Sequence, residues 1–161
     1  MKRTIAAFLT ATALTLPAFA QDGPTVKSID VTVEMASVQN PAAAAYWGTL
    51  ETDLESAILA NLTGRVADDG ANLVIDIREV ELASGFAEAA GLGDAMLKGS
   101  VTQTHDSDNT RFDAYELTVD VKASMPMLGE GFDVTAADVD TAKVYRAMVD
   151  TFAANVAKNV K

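Results

Sequence analysis

Four stretches of this chain alternate apolar and polar residues with a period of two, and in each the polar set is too hydrophilic to bury. Ile29, Val31, Val33 and Met35 alternate with Ser28, Asp30, Thr32 and Glu34. Leu73, Ile75 and Ile77 alternate with Asp76 and Arg78, Leu97, Gly99 and Val101 with Lys98, Ser100, Thr102 and Thr104, and Tyr115, Leu117, Val119 and Val121 with Glu116, Thr118, Asp120 and Lys122. A strand with this period has one buried and one wet face. Four such strands in one sheet leave a polar face that no second sheet can cover, so the core lies on one side only.

What covers that side follows from the segments between. Asn40-Pro41 supplies a cap and a proline suited to the first helical turn, and Trp47, Leu50, Leu54, Ile58 and Leu62 form an apolar stripe ending at Gly64, which predicts a helix of about 23 residues. Val144 or Tyr145, Met148, Phe152, Val156 and Val160 recur at helical spacing near the end of the chain. The order β-α-β-β-β-α predicts an α+β fold, a two-layer sandwich of one four-stranded mixed sheet with two helices on one face. The first two strands, joined through a helix, are parallel with a right-handed crossover, and the others follow as an antiparallel meander. The apolar phase shifts after Ile77 to Val80 and Leu82, predicting a bulge near Arg78 or Glu79. "HDSDNTR", residues 105–111, reads as a hairpin turn.

Residues 1–20 have the three parts of a secretory signal: Lys2 and Arg3, an apolar run from Ile5 to Leu16, and Ala18-Phe19-Ala20 as cleavage site. Residues 21–161 then form a single domain, a size that supports one core. No apolar run approaches the roughly 20 residues needed to span a bilayer, and with no cysteine there is neither a lipid anchor nor a disulfide framework. The expected location is the periplasm, with full secretion as the alternative. Removing Lys2 and Arg3 takes the net charge from −11 to −13, a surface that repels nucleic acid and anionic headgroups.

Little in the chain points to catalysis. His105 is the one histidine and lies beside an acidic turn, with no second histidine and no cysteine to join it as a zinc ligand or nucleophile. Asp106 and Asp108 begin like a calcium loop, but Arg111 stands where that loop needs glycine and Leu117 where it needs glutamate. Asp30, Glu34, Asp76, Glu116 and Asp120 are interspersed with Arg78, Lys98 and Lys122, as on a solvated sheet face with cross-strand ion pairs. No cofactor is expected, and the chain is read as not an enzyme.

The suspicious features are the segments after the second and fourth strands, "ELASGFAEAAGLGDAMLKG" and "SMPMLGEGFDV", which are apolar where a turn would have sufficed. With the first strand taken as running upward, both emerge at the upper end. This brings Phe86, Leu92 and Met96 to the same edge as Met125, Met127, Leu128 and Phe132, seven candidates for a partner or ligand surface. The competing reading is that both segments fold over the open end and complete the core.

The element order over residues 26–161 resembles, in topology, the periplasmic α/β domains of envelope-assembly accessory proteins, including the lipopolysaccharide-assembly lipoprotein. The chain is also similar to the short acidic secreted and periplasmic proteins of proteobacteria. The loop end around Phe86, Leu92, Met127 and Phe132 leads to the reading of a non-enzymatic periplasmic accessory or binding protein, with an envelope protein partner or self-association. A periplasmic protein binding an apolar or cationic small molecule beneath the loops is the alternative, and an enzyme of unrecognised type a third.

Overall fold

A computed structural model describes residues 23–33, 48–81, 95–136 and 138–161, with backbone only at 78–81. Four strands, β1 (Val26–Val33), β2 (Ala71–Glu81), β3 (Met96–Thr104) and β4 (Asp113–Asp120), form one sheet in the order β1-β2-β3-β4. β1 is parallel to β2, and β2, β3 and β4 are successively antiparallel. Helices α1 (Leu50–Asn61), α2 (Val121–Leu128) and α3 (Thr141–Asn159) complete an α+β fold. The strand order, the parallel first pair and the antiparallel meander are therefore as the alternation and the order of elements predict.

The apolar half of each strand meets α1 and α3. Leu50, Leu54, Ile58 and Leu62 from α1 and its C-terminal turn, Ile75, Ile77 and Leu97 from the sheet, and Phe152 and Val156 from α3 are fully buried together. Gly99 makes room for this packing, since a Cβ there would come within 2.7 Å of the Ile77 Cδ1 atom and 3.5 Å of the Phe152 ring. Among the described residues, Ser28, Asp30, Thr32, Glu116, Thr118 and Asp120 are exposed on the other face. Cross-strand rows such as Thr32, Asp76, Ser100 and Glu116 confirm the two faces.

Two bulges adjust the register. Ile77 pairs with Gly99 and Glu79 with Lys98, so Arg78 is the extra residue foreseen from the phase shift. The second, at Lys27, is not visible in the alternation. It turns Val26 inward to 1% exposure, between Ala71 and the Arg65–Ala67 backbone. Gly70 fits because it has no side chain: a Cβ there would sit 2.5 Å from the Val26 carbonyl carbon and 2.7 Å from the Lys27 nitrogen.

Three expectations are corrected. The first helix does not run unbroken from Pro41, because Gly48 and Thr49 are in a turn and α1 begins at Leu50, with the Thr49 carbonyl accepting from the Asp53 amide at 2.8 Å. Trp47 and the Asn40-Pro41 cap lie outside the described residues. Second, β4 stops at Asp120, whose carboxylate accepts from the Ala123 amide at 2.6 Å and starts α2. Lys122 is thus on a helix and not on the wet sheet face. Third, the predicted order has two helices and none between the fourth strand and the last helix, whereas α2 is a third helix there, with Val121, Ser124 and Leu128 buried at helical spacing and Gly129 ending it at φ 91°.

At the lower end the chain is tied by side chains. The Gln103 side chain, 2% exposed on the core face of β3, donates to the Lys161 carbonyl at 2.6 Å and accepts from its amide at 3.2 Å. Arg65 donates from Nε to the Pro24 carbonyl at 2.9 Å and from Nη1 to the Ala157 carbonyl at 3.0 Å, joining the approach to β1 with the last turn of α3.

Candidate functional site

Of the seven residues expected at the upper end, Phe86 and Leu92 lie outside the described residues, and the other five separate by environment. Leu128 is 3% exposed and belongs to the core, so its side chain is a packing element rather than part of a surface. Met125 and Phe132 are half-buried against that core. Met127 is 53% exposed. Met96 is half-buried on the outer face of β3, between Glu81 and Asp120, because its neighbour Leu97 takes the inward position.

The geometry around Met127 comes from α2. Burial of Val121, Ser124 and Leu128 points one side of this short helix at the core, which turns Met127 outward. Pro126 has no amide to give to the helix ladder, and Gly129 and Gly131, both at positive φ, carry the chain round to Phe132. The Lys143 ammonium of α3 stands 4.8 Å from the Phe132 ring centroid, an attraction between cation and ring face. Asp133 accepts from the amide and hydroxyl of Thr135 at 2.8 and 2.6 Å, which holds its carboxyl below the usual carboxylate range and fixes the turn.

At the lower end the polar residues are engaged with one another. Asp106 forms an ion pair with Lys27 and accepts from Asn72 at 2.7 Å, and Asn72 accepts from Ser28 at 2.7 Å. The Lys27 bond, followed by that from Asn72, draws the Asp106 carboxyl below its ordinary value, while Asp106 raises Lys27. Asp108 accepts from the amide and hydroxyl of Thr110 at 3.0 and 2.6 Å, and its carboxyl is likewise lowered. These bonds place both aspartates in the architecture of the hairpin turn. The Arg111 guanidinium, which can only donate, lies 3.1 Å from the His105 Nε2 atom.

Two concavities lie away from the expected surface. One, of about 260 Å³, follows the outer edge of β1 and is lined by Val26, Ile29, Glu55, Leu59 and Val66 among others. Here Glu55 Oε1 accepts from the Val31 amide at 3.5 Å, placing an acidic group on an open strand edge. The other, of about 560 Å³, is a trench between α1 and α3, lined by Asp53, Ser56, Ala57, Ala142, Tyr145, Arg146, Val149 and Asp150. The Tyr145 hydroxyl bridges the two helices by donating to Asp53 at 2.5 Å. Sequence reasoning missed this trench. Tyr145 registered only as a possible member of the α3 stripe, and nothing local marks Asp53 as its partner from 92 positions away.

No protein-family model matches the chain, and no curated protein does. Among solved structures it is similar to a Xanthomonas campestris protein of the DUF330 family, at 18% identity and a TM-score of 0.43 over 88% of this chain and 84% of that one. It is also similar to a PelC variant, a dodecamer, from Paraburkholderia phytofirmans, at 11% identity and a TM-score of 0.40 over 82% and 85% of the two chains. A candidate lipoprotein from Caulobacter crescentus matches at 14% identity and a TM-score of 0.34, over 81% and 82%. These likenesses are too distant to carry an activity across.

Proposed function

We propose that this is a non-enzymatic accessory or binding protein of the bacterial envelope, exported by residues 1–20, cleaved after Ala20, and acting in the periplasm through its upper end. The observation that carries the reading is Met127: a large apolar side chain, 53% exposed, on a helix held by its own buried side and flanked by half-buried Met125 and Phe132. Covering such a group with a partner removes apolar surface from water, at about 25 cal/mol per Å². A thioether chain adapts to the shape it meets. The acidic composition favours a partner that is not anionic. Among the described residues no helix is long and apolar enough to cross a membrane, so the reading does not rely on such a segment. The engagement of His105 by Arg111, and of Asp106 and Asp108 by the turn, supports the non-enzymatic part.

Native mass spectrometry of the protein purified from the periplasm of its own host tests this reading. The expected result is an N-terminus at Gln21 and an associated mass, of a partner protein or a second copy, that Met127→Glu removes while the melting temperature stays unchanged. A clean monomer, or an assembly indifferent to Met127→Glu, overturns it.

A further inference from the structure

The trench between α1 and α3 has the walls of a small-ligand site, independently of any role for the upper end. Its volume, about 560 Å³, falls in the range of roughly 300–1,000 Å³ typical of such sites. The floor is apolar, made of Ala57, Ala142, Val149 and the Tyr145 side chain.

The polar groups above this floor have unused capacity. Both hydroxyls that reach Asp53, from Thr49 at 2.8 Å and Tyr145 at 2.5 Å, fall on Oδ2, leaving Oδ1 without a partner among the described residues. The same two bonds fix the orientation of the carboxylate. Among the described residues Arg146 makes one long bond, from Nε to the Ala142 carbonyl at 3.4 Å, and its terminal nitrogens have no partner there. Asp150 lies one helical turn beyond Arg146, the spacing at which acid and base commonly pair, yet no ion pair joins them. A fixed carboxylate, a guanidinium and a second carboxylate thus border one apolar trench.

An α,ω-diamine would satisfy the two acids but meet the repulsion of Arg146 in the same trench. A fatty acid would satisfy Arg146 and the floor but be repelled by Asp53 and Asp150. A molecule with an ammonium and a carboxylate on one carbon answers both signs at once. We propose that the trench binds a neutral α-amino acid with an apolar side chain. Its ammonium meets Asp53 Oδ1, with Asp150 adding attraction, its carboxylate meets the fork of Arg146, and its side chain lies over Ala57, Val149 and the Tyr145 ring.

Isothermal titration of the mature protein with L-leucine tests this, with L-leucinamide and 4-methylpentanoate as ligands that each lack one charge. Saturable binding of leucine is expected, with both single-charge analogues about tenfold weaker or worse, as the loss of one charge-assisted bond implies. Arg146→Gln is expected to weaken leucine by a similar factor. Ser56→Trp, at an exposed position on the trench wall, is expected to block binding without altering any charge. Circular dichroism checks that each variant is folded. Leucinamide binding as tightly as leucine, no saturable heat with leucine at millimolar concentration, or undiminished binding by folded Ser56→Trp would each overturn the proposal.

Discussion

Tyr115 shows how position in a sheet becomes chemistry. It lies opposite Val101 on the core side of β4, half-buried, and this burial raises its phenol above the ordinary value near 10, with nearby Asp113 adding to the shift and a side-chain hydrogen bond from Asn159 opposing it. Because the folded state disfavours the phenolate, Tyr115 contributes stability that is fully present below the unfolded value and is lost as pH rises through the higher folded one. The phenolate absorbance of the folded protein should therefore contain a late-ionising component that Tyr115→Phe removes. If the two titration curves superimpose, the burial assigned to Tyr115 is wrong.

At the level of the element, the two faces of β4 make opposite predictions for neighbouring residues. Val119 is 1% exposed, so Val119→Asp places a carboxylate in the core and should cost about 3 kcal/mol or more, whereas Thr118→Asp, on the wet face, should stay within about 1 kcal/mol. Urea unfolding of the pair measures the difference, and equal losses would refute the face assignment. The strands were legible because alternation states which face is buried, and the Arg78 bulge because a change of phase is itself a local signal. Helix α2 was not: Val121 fits the strand alternation and the spacing of Val121, Ser124 and Leu128 equally well, and what decides is the Asp120 carboxylate turning back to cap the Ala123 amide. The start of α1 was misread in the opposite direction. A stripe continued through Trp47 in the sequence, but Gly48 and Thr49 form a turn ahead of Leu50. The site was less legible than the fold. Alternation and topology brought the candidate apolar residues to one end, but whether a residue there is buried, as Leu128 is, or exposed, as Met127 is, depends on the rotation of a helix that the pattern did not reveal.

In the whole molecule, the sheet leaves β1 and β4 as its edges, and the two ends differ in character. The upper end presents an exposed methionine on a short helix. The lower end is held by ion pairs and buried amide bonds, with Arg65 bonded at once to Pro24 and Ala157. Arg65→Ala should lower stability by about 1–2 kcal/mol, the cost of two backbone carbonyls losing a charged donor, while leaving the trench and the upper end unaltered. The same arginine also bears on the order of events in time. Its bond to Pro24 closes a loop of 41 residues that β1 and α1 alone can bring together, whereas its bond to Ala157 closes one of 92 residues and waits until the meander and α3 are nearly in place. On that ordering the Ala157 bond is a late one, and its loss should appear mainly as faster unfolding with little change in the refolding rate. A stopped-flow chevron in which the refolding arm moved instead would mean that the two ends of the domain meet early. If the unfolding arm alone moves, Arg65 is a latch, and how long the folded molecule lasts before opening depends on one guanidinium.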